Sequence, residues 1–473
     1  MKFTSTRGHG GVVTGKEAIV QGLAPDGGLF MPEVIPQVDW RALPSWEDYP
    51  QLAAEILHLY LTDYSREELL AITRSGYEKF EPGVFELEVL DDTAILELFH
   101  GPTLAFKDFA LALLSRLIAA GKGPETIRIL TATSGDTGKA ALAGFQDVPG
   151  MDIFVFYPTD GVSSMQKLQM QTQEGENVHV YGVRGNFDDA QGGVKAIFAN
   201  EEIRRKLAEE HIHLSSANSI NIGRLLPQLV YYFAAYLKMV DRGIIESGEV
   251  VDVSVPTGNF GDILAGYLAK EMGLPLGHFT CASNENDVLT KFFETGHYSA
   301  NRPLVKTTSP SMDILVSSNL ERFLHLVAED KASTGQYMRE LTETGEFTVD
   351  ELPADMTGAM VTQGEVEETI GAVYEKFGYV LDPHTAVAYL AAQRAQESGR
   401  KKLVLATASP YKFPEAVARG LGLEVAGEEP MALLEAISRA WGREVPPALS
   451  ELMEKPRRHT EVIAPEEMKG VIQ

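Results

Sequence analysis

The feature that most constrains the fold is an alternation that begins near residue 94, where helix-length segments separate short apolar runs. The runs predicted as strands cover residues 127–132, 153–157, 178–183, 250–255, 279–282 and 403–406. Helix-length segments cover residues 187–207, 224–240 and 262–272. This alternation predicts an α/β fold of mainly parallel sheets flanked by helices. In such sheets ligands bind beyond the carboxyl ends of the strands, in loops that lead into helices.

The residues before this alternation predict a separate N-terminal lobe. Residues 22–36 hold three prolines and predict an irregular, turn-dense loop. Two helices are expected around residues 51–61 and 66–75, the second with Ser65 as its N-cap. Far beyond this lobe, residues 328–370 are rich in Glu and Thr, and they predict a solvated and mostly helical excursion.

Lys107 lies where an apolar strand-like run, residues 95–99, gives way to a run of helical length. The positive end of the helix dipole and burial would both disfavour a charged amine at this place. A lysine with a lowered pKa is a good nucleophile toward a carbonyl, which is how enzymes usually hold pyridoxal phosphate. On this stretch alone, a surface lysine that begins a helix is the more common explanation.

Three other junctions between a strand and a helix carry residues suited to anions. Residues 133–138 (TSGDTG) and 256–262 (PTGNFGD) would expose backbone amides at a helix N-terminus, which can bind a carboxylate or a phosphate. At the third, Thr407 and Ser409 follow a predicted strand. Each loop alone could be an ordinary turn. Together with Lys107 they predict a phosphorylated cofactor held through a lysine imine, and a substrate with a carboxylate.

The motifs around these residues resemble the threonine synthase family of the longer, bacterial and fungal type. That family belongs to the fold type II pyridoxal-phosphate enzymes, which are similar to tryptophan synthase β. The resemblance runs through GLAPDGGLFMP (22–32), HGPTLAFKDFA (100–110), TSGDTGKAAL (133–142), GNFDDAQ (185–191), NSINIGRLLPQLVYYF (218–233), PTGNFGDILAGYLAKEMGLP (256–275), DPHTAVAY (382–389) and TASPYKFPEA (407–416).

The resemblance implies a division of the chain into three parts. Residues 1–93 would form the N-terminal lobe, and residues 94–124 and 201–473 a large domain that binds the cofactor. Residues 125–200 would form a smaller, mobile lobe that carries SGDTG and closes on the substrate carboxylate.

The resemblance also implies roles for single residues. Lys107 would hold pyridoxal 5'-phosphate through an imine, and Thr407 would face the pyridine nitrogen. The cofactor phosphate would be held by Gly258, Asn259, Phe260, Gly261 and Asp262. The amino-acid carboxylate would be received by Ser134, Gly135, Asp136 and Thr137, with Asp136 also near the phenolic oxygen of the cofactor. Candidates for a phosphate on the substrate are Ser163, Ser164, Lys167, Asn218, Asn221 and Arg224, with Arg224 and Asn218 preferred.

The implied reaction converts O-phospho-L-homoserine and water to L-threonine and phosphate, by γ-elimination and addition of water at the β-carbon. One alternative is a pyridoxal-phosphate-dependent phospho-lyase or dehydratase, which would release a keto acid and ammonia. A non-catalytic relative that binds pyridoxal phosphate is a further alternative, but Lys107 and both anion loops are intact. The chain departs from the family pattern at Ser409, where histidine is expected, and at Tyr411, where a small residue is expected.

Four further residues have side chains that could bind or titrate: Arg7 and His9 in the opening TSTRGHGG, which differs from several relatives, and His100 and His384 in the matching motifs. Whether Arg7 or His9 reaches the site is open. His100 and His384 are expected to fix loops through hydrogen bonds.

The composition of the chain limits the kinds of partner that it is expected to bind. The formal net charge of −26 disfavours nucleic acid, which needs basic surfaces. The single cysteine, Cys281, excludes an intramolecular disulfide, and no metal site is expected. No apolar stretch approaches the roughly 20 residues that span a bilayer, and the first residues lack a signal core. We therefore expect a cytoplasmic enzyme, monomeric or homodimeric, that acts on a small molecule.

Overall fold

The computed structural model describes residues 1–81, 83–133, 135–159, 162–185, 187–328, 330–395, 399–424 and 429–472. Its strands are β1 (Phe3–Ser5), β2 (Val12–Val13), β3 (Phe30–Pro32), β4 (Glu86–Leu90), β5 (Thr93–Glu97), β6 (Thr126–Ala132), β7 (Met151–Pro158), β8 (Val178–Val183), β9 (Ile212–Ser216), β10 (Val251–Pro256), β11 (Leu276–Ser283), β12 (His297–Ser299), β13 (Glu346–Thr348), β14 (Met356–Met360), β15 (Lys402–Ala406) and β16 (Val462–Ile463).

Helices surround these strands. The α-helices are α1 (Gly15–Gln21), α2 (Tyr49–Tyr60), α3 (Arg66–Tyr77), α4 (Lys107–Gly121), α5 (Asp136–Phe145), α6 (Ser164–Gln171), α7 (Phe187–Ala199), α8 (Glu201–Glu209), α9 (Ile222–Asp241), α10 (Gly261–Glu271), α11 (Val288–Thr295), α12 (Leu320–Val327), α13 (Ser333–Thr344), α14 (Gln363–Phe377), α15 (Pro383–Arg394), α16 (Pro414–Gly420), α17 (Pro430–Trp441), α18 (Pro447–Ser450) and α19 (Met468–Val471). Short 3₁₀ helices lie at Trp40–Ala42, Pro310–Met312, Pro410–Lys412, Glu451–Met453 and Pro465–Glu467.

The N-terminal residues form a small antiparallel sheet, in the order β2-β1-β3, beside α2 and α3. Ser65 caps α3 in a capping box with Glu68, which confirms the predicted N-cap. The prediction that residues 22–36 are irregular throughout was wrong. β3 lies within them, because pairing with β1 gives this short segment its backbone partners.

The larger sheet has six strands in the order β14-β11-β10-β15-β5-β4, and only β4 runs antiparallel to its neighbour. The prediction that residues 328–370 are mostly helical was wrong, because they include β14, one of the two edge strands of this sheet. That strand is only partly buried and has no apolar run, so its strand conformation depends on pairing with β11. The carboxyl ends of β5, β10 and β15 bring the loops that precede α4 and α10, and the loop at Thr407, to one edge.

The second sheet has five parallel strands in the order β16-β8-β7-β6-β9. β9 and β16 come from outside residues 125–200, so this sheet draws on more of the chain than the predicted smaller lobe. The boundaries of that lobe stay a prediction. The single helix predicted over residues 187–207 is two helices, because Asn200 caps α8 through a bond from the N–H of Ile203.

Helix α4 connects the two sheets and packs against α5 and α9. It is apolar on most sides and buried over most of its length. At its crossing with α5, an added Cβ on Gly144 would lie 2.4 Å from the carbonyl oxygen of Leu111. The close backbone contact between α4 and α5 therefore requires glycine at this position.

The described residues include neither a membrane-spanning helix nor a cluster of metal-binding side chains. None of the described helices is long and apolar enough to cross a membrane. No group of three or more His, Cys, Asp or Glu side chains in the described ranges could hold a metal ion.

We predict that Gly144→Ala lowers the free energy of unfolding by about 1–3 kcal/mol, because the added methyl group overpacks the α4–α5 contact. Urea denaturation followed by circular dichroism measures this change. Gly192→Ala is the matched control, since a Cβ on this glycine of α7 meets no atom within 4 Å. It should be neutral or stabilise by up to about 1 kcal/mol. Equal effects of the two substitutions would contradict the packing argument.

Candidate functional site

Lys107 is the first residue of α4, which confirms the predicted transition from a strand, β5, to a helix. Its side chain is 12% exposed. Its Nζ donates a long hydrogen bond to Ser311 Oγ at 3.5 Å and lies 3.9 Å from Asp136 Oδ2. The amine is thus almost enclosed, and an acid and a hydroxyl face it.

Burial is the main reason that the pKa of Lys107 falls to about 8. The charge of Asp136 raises this pKa, whereas repulsion from Arg224 and Lys412 lowers it, and Asp262 raises it again. Two acids thus raise this pKa and two cations lower it, and desolvation is the largest of the contributions. A substantial fraction of the amine is therefore neutral near pH 7 to 8, which a nucleophile and a proton carrier both need.

Asp136 is the polar centre of the site. Its Oδ1 accepts hydrogen bonds from Lys412 Nζ at 2.6 Å and from Gln166 Nε2 at 3.0 Å. Its Oδ2 accepts one from Ser311 Oγ at 3.3 Å. Burial alone would raise the pKa of this carboxyl, but the charges of Lys412 and Lys107 hold it well below its usual range. Asp136 is therefore a fixed negative charge at working pH.

The loop before Asp136 approaches α6 closely. Gly135 has a φ of 141°, and a Cβ there would lie 2.3 Å from the Gln166 side chain, so both conformation and space require glycine. Thr137 is half-buried in the first turn of α5. Ser134, the remaining residue predicted to receive a carboxylate, lies outside the described residues.

The loop between β10 and α10 forms a backbone cradle for an anion. The first helical bond of α10 runs from the N–H of Leu264 to the carbonyl of Phe260. In the described part of the chain, the N–H groups of residues 258–263 have no acceptor. Phe260 adopts a left-handed conformation (φ 63°, ψ 4°) that is uncommon for a non-glycine residue and often marks functional loops. Together these groups make a ready site for a phosphate.

Neighbouring loops hold this cradle in place. Ser317 Oγ donates to the Gly258 carbonyl at 2.6 Å, and the N–H of Asn319 donates to the Asn259 carbonyl at 3.0 Å. A Cβ on Gly258 would lie 2.5 Å from the carbonyl oxygen of Ser311, so this glycine is needed for close approach. Gly261 opens α10.

Asp262 lies in the first turn of α10, behind the cradle. Its Oδ1 accepts hydrogen bonds from the hydroxyls of Tyr231 at 2.6 Å and Tyr232 at 2.8 Å. Its Oδ2 is buried and has no partner among the described residues. Burial raises the pKa of Asp262 to about 6, although the two tyrosines and Lys107 oppose the rise.

Thr407 follows β15, and its carbonyl accepts a hydrogen bond of 2.9 Å from the N–H of Phe106, the residue before Lys107. The predicted neighbourhood of Thr407 and Lys107 is therefore present in the fold. Ser409, which stands where histidine was expected, caps a 3₁₀ helix by accepting from the N–H of Tyr411. Its hydroxyl thus has a structural use.

Both histidines of the matching motifs make hydrogen bonds that fix loops, as predicted. His384 Nε2 accepts from the N–H of Ser311 at 3.2 Å, and its Nδ1 bonds to Asp382 at 2.8 Å. The accepting Nε2 assigns the ring proton to Nδ1. His100 Nε2 bonds to Glu97 at 2.9 Å.

Arg224 and Asn218 both leave buried polar atoms without partners. Arg224 is buried, its Nη1 donates to the Ala217 carbonyl at 2.9 Å, and its Nε has no partner in the described part of the chain. Burial lowers its pKa to about 10. The Oδ1 atom of Asn218 is also buried and has no partner among the described residues. Such atoms are costly unless a ligand satisfies them, which supports the preference given to these two residues.

The other candidates for a substrate phosphate differ in their surroundings. Ser163 caps α6 in a capping box with Gln166, the residue that also reaches Asp136. Lys167 is half-buried; its backbone N–H donates to the Ser163 carbonyl at 2.9 Å, and its side chain makes no hydrogen bond or ion pair with another described residue. Ser164 is exposed, and Asn221 caps α9. Asn221 is therefore already engaged in the fold, whereas Lys167 is available.

Arg7, near the N-terminus, is paired with an acidic side chain. Its guanidinium makes a bidentate pair with Glu321, with both bonds at 2.9 Å. His9 is exposed. Arg7 is therefore engaged by Glu321, on α12.

Sequence reasoning missed three side chains that contact the site: Lys412, Ser311 and Gln166. Lys412 lies within the motif TASPYKFPEA, and the unusual feature is a lysine between two aromatic residues just after a strand end. Ser311 and Gln166 lie in segments without such a signal, so only their three-dimensional placement reveals them.

Taken together, these residues place an amine that is easily deprotonated near an anion cradle and a buried arginine. A phosphorylated aldehyde fits this donor set. Its phosphate would meet the amides of residues 258–263, and its carbonyl would meet Lys107.

Comparison with family models covers nearly the whole chain. Residues 2–77 match the model "Threonine synthase N terminus", and residues 94–409 match "Pyridoxal-phosphate dependent enzyme". Residues 385–472 match "Threonine synthase, C-terminal".

Known proteins with similar sequences and structures agree with these models. Threonine synthase from Schizosaccharomyces pombe is 38% identical over 463 residues, which cover 88% of each chain. Human threonine synthase-like 1 is 39% identical over 468 residues, which cover 93% of this chain and 62% of that protein. The crystal structure of PLP-bound threonine synthase from Brucella melitensis superposes with a TM-score of 0.88 at 37% identity, and covers 99% of both chains.

We predict that cofactor-free protein takes up pyridoxal phosphate at a rate that rises with pH around a midpoint near 8, because only the neutral Lys107 amine attacks a carbonyl. The growth of near-visible absorbance in a stopped-flow instrument measures this rate. Lys107→Ala is the control and should give no such absorbance. A midpoint near 10.5, the ordinary value for lysine, would contradict the lowered pKa.

Proposed function

The chain belongs to the threonine synthase family of pyridoxal-phosphate enzymes, and on that premise we propose that it converts O-phospho-L-homoserine and water to L-threonine and phosphate. In this reaction the bond from the γ-carbon to oxygen breaks and phosphate leaves. The γ-carbon becomes a methyl group, and the β-carbon loses a proton and gains the hydroxyl of water. The observation that carries the proposal is the placement of a lysine with a near-neutral pKa among separate groups suited to anions.

Pyridoxal phosphate, when bound, withdraws electrons from the α-carbon of an amino acid and so makes its protons removable. We assign Lys107 as the residue that holds it. Gly258, Asn259, Phe260, Gly261 and Asp262 are assigned to its phosphate. Thr407 would place a hydroxyl at the pyridine nitrogen. A hydroxyl there leaves the nitrogen uncharged, whereas a carboxylate would stabilise its protonated form.

Lys107 would also move the protons of the reaction. Once the substrate amine has displaced it, its free Nζ can remove the α-proton and return protons later. This repeated exchange needs a pKa close to the working pH, and burial of Lys107 supplies that condition. Asp136, which stays ionised, stabilises the protonated amine after each proton is taken up.

The substrate's two anionic ends require different receptors. We assign Ser134, Gly135 and Thr137 to the carboxylate; Gly135 and Thr137 lie at the N-terminus of α5, where the helix dipole favours an anion. Asp136 would sit beside the phenolic oxygen of the cofactor. We assign Arg224 and Asn218 to the phosphate, helped by Lys167 and Ser163, because the first two have buried polar atoms without partners. Arg224 and Lys167 would supply positive charge that stabilises the negative charge developing on the departing phosphate.

Some features of the proposal concern the whole molecule. We propose that residues 125–200 move as a smaller lobe that closes over the substrate carboxylate, which would keep water out until it is needed. We further propose a cytoplasmic enzyme, monomeric or homodimeric, with no nucleic-acid partner. The formal net charge of −26 supports the last point.

Incubation of the purified protein with O-phospho-L-homoserine should yield L-threonine and phosphate in equal amounts, and Lys107→Ala should yield neither. Amino-acid analysis and a phosphate assay measure the products. 2-Oxobutyrate and ammonia in place of threonine would instead establish a phospho-lyase, because elimination would then occur without hydration. A protein that remains colourless after addition of pyridoxal phosphate would favour a non-catalytic relative. Homoserine and O-phosphoserine serve as comparison substrates.

Arg224→Gln should raise KM for O-phospho-L-homoserine by roughly 10–100-fold, because a buried, charge-assisted contact to phosphate contributes about 1.5–3 kcal/mol. The near-visible absorbance of bound cofactor should persist. Steady-state kinetics and absorbance spectra measure the two properties. Arg74→Gln, which removes an exposed arginine paired with Asp48, is the control and should leave KM unchanged. An unchanged KM in Arg224→Gln would remove Arg224 from the phosphate site.

A further inference from the structure

We propose that Lys412 is a positioning residue that takes Asp136 as its own ionic partner and thereby leaves the amine of Lys107 free to react. This inference rests on the proposed function only for its role in catalysis. The arrangement itself concerns three side chains of this chain and can be tested without substrate.

Two lysines face one carboxylate at unequal distances. Lys412 Nζ lies 2.6 Å from Asp136 Oδ1, whereas Lys107 Nζ lies 3.9 Å from Asp136 Oδ2. Lys412 is fully buried, and its ammonium also donates to the Thr103 carbonyl at 2.8 Å. A charge buried to this extent needs a close partner, and Asp136 is the acid that Lys412 contacts. The stronger ion pair of the site therefore belongs to Lys412.

The charges that face Lys107 come from four separate elements. The acids are Asp136 on α5 and Asp262 on α10, and the cations are Arg224 on α9 and Lys412 after β15. The two negative and two positive formal charges sum to zero. No net negative charge therefore opposes the lowering of the Lys107 pKa by burial. Without Lys412, two acids would face one cation, and the net negative charge would favour the protonated amine.

Two further polar side chains, Ser311 and the His384 that bonds to its backbone N–H, do not change this sum of charges. Ser311 is a neutral hydroxyl. His384 bonds to the Ser311 N–H and to Asp382, so both of its ring nitrogens are engaged by groups other than the amine.

Lys412 also connects segments that are far apart in the sequence. Through Asp136 it contacts the N-terminus of α5, and through the Thr103 carbonyl it contacts the loop before α4. The N–H and the hydroxyl of Thr103 in turn donate to Asp108 at 2.8 and 2.6 Å. A purely structural role would follow from these contacts alone, so the test needs a readout that separates electrostatics from folding.

The experiment measures the pH midpoint for uptake of pyridoxal phosphate by cofactor-free protein. We expect Lys412→Met to raise this midpoint by about one pH unit, which makes uptake near pH 7 roughly tenfold slower. Lys412→Arg keeps the charge and should stay near the wild-type midpoint. Asp136→Asn combined with Lys412→Met should bring the midpoint back toward the wild-type value, because the unpaired carboxylate is gone.

Lys238→Met is the matched control. Lys238 is also a buried lysine, paired with Glu86 at 2.7 Å, but it lies in the last turn of α9. This substitution should lower stability without moving the midpoint. An equal shift in Lys238→Met, or no shift in Lys412→Met, would overturn the proposal.

Two further outcomes would also test the proposal. If Lys412→Met does not fold, Asp136→Asn is compared with the double variant. Loss of Lys412 should then raise the midpoint, because its repulsion of Lys107 is removed, and an unchanged midpoint would overturn the proposal. Absence of threonine with wild-type protein would refute the proposed function, but would leave a shifted midpoint in Lys412→Met as support for the ionic arrangement.

Discussion

The buried carboxylate of Asp136 is the interaction on which the rest of the site depends. It is held by Lys412 and Gln166, and it faces Lys107 and Ser311. A buried carboxylate that stays ionised must be compensated, and here two lysines lie near it. This arrangement brings α4, α5, α6 and the segment after β15 together at one point. Backbone bonds such as that from the N–H of Phe106 to the Thr407 carbonyl join the start of α4 to the segment after β15, and the side chains around Asp136 add α5 and α6.

The chain is strongly acidic overall, with a formal net charge of −26, yet its candidate site is built to receive anions. Local groups account for this contrast. Free amides at the start of α10 and the N-terminus of α5 present partial positive charge where a strand ends, and Arg224 adds a full charge from α9. Net charge acts over the whole surface and is screened by salt, whereas buried donors act at contact distance.

Sequence patterns predicted the parts of the fold that carry their own signal. Apolar runs marked β6, β7, β8, β10, β11 and β15, since strands buried in a parallel sheet are apolar on both faces. The same approach failed at β3 and β14. These strands are short or exposed, and they exist because β1 and β11 pair with them. The break between α7 and α8 was also missed, although Asn200 is a common N-cap residue, because the apolar pattern continues across it.

Patterns among neighbours in the chain identify the residues whose chemistry is local. Lys107 at the start of a helix and the glycine-containing loops that precede α5 and α10 can be found from neighbours in the chain alone. How their charges combine, in contrast, depends on the three-dimensional fold. Lys412 lies 276 residues from Asp136 in the sequence (412 minus 136), yet its ammonium is 2.6 Å from that carboxylate. The pKa of Lys107 depends on burial and on acids and cations from four elements, and electrostatic interactions follow distance in space, which no local pattern records.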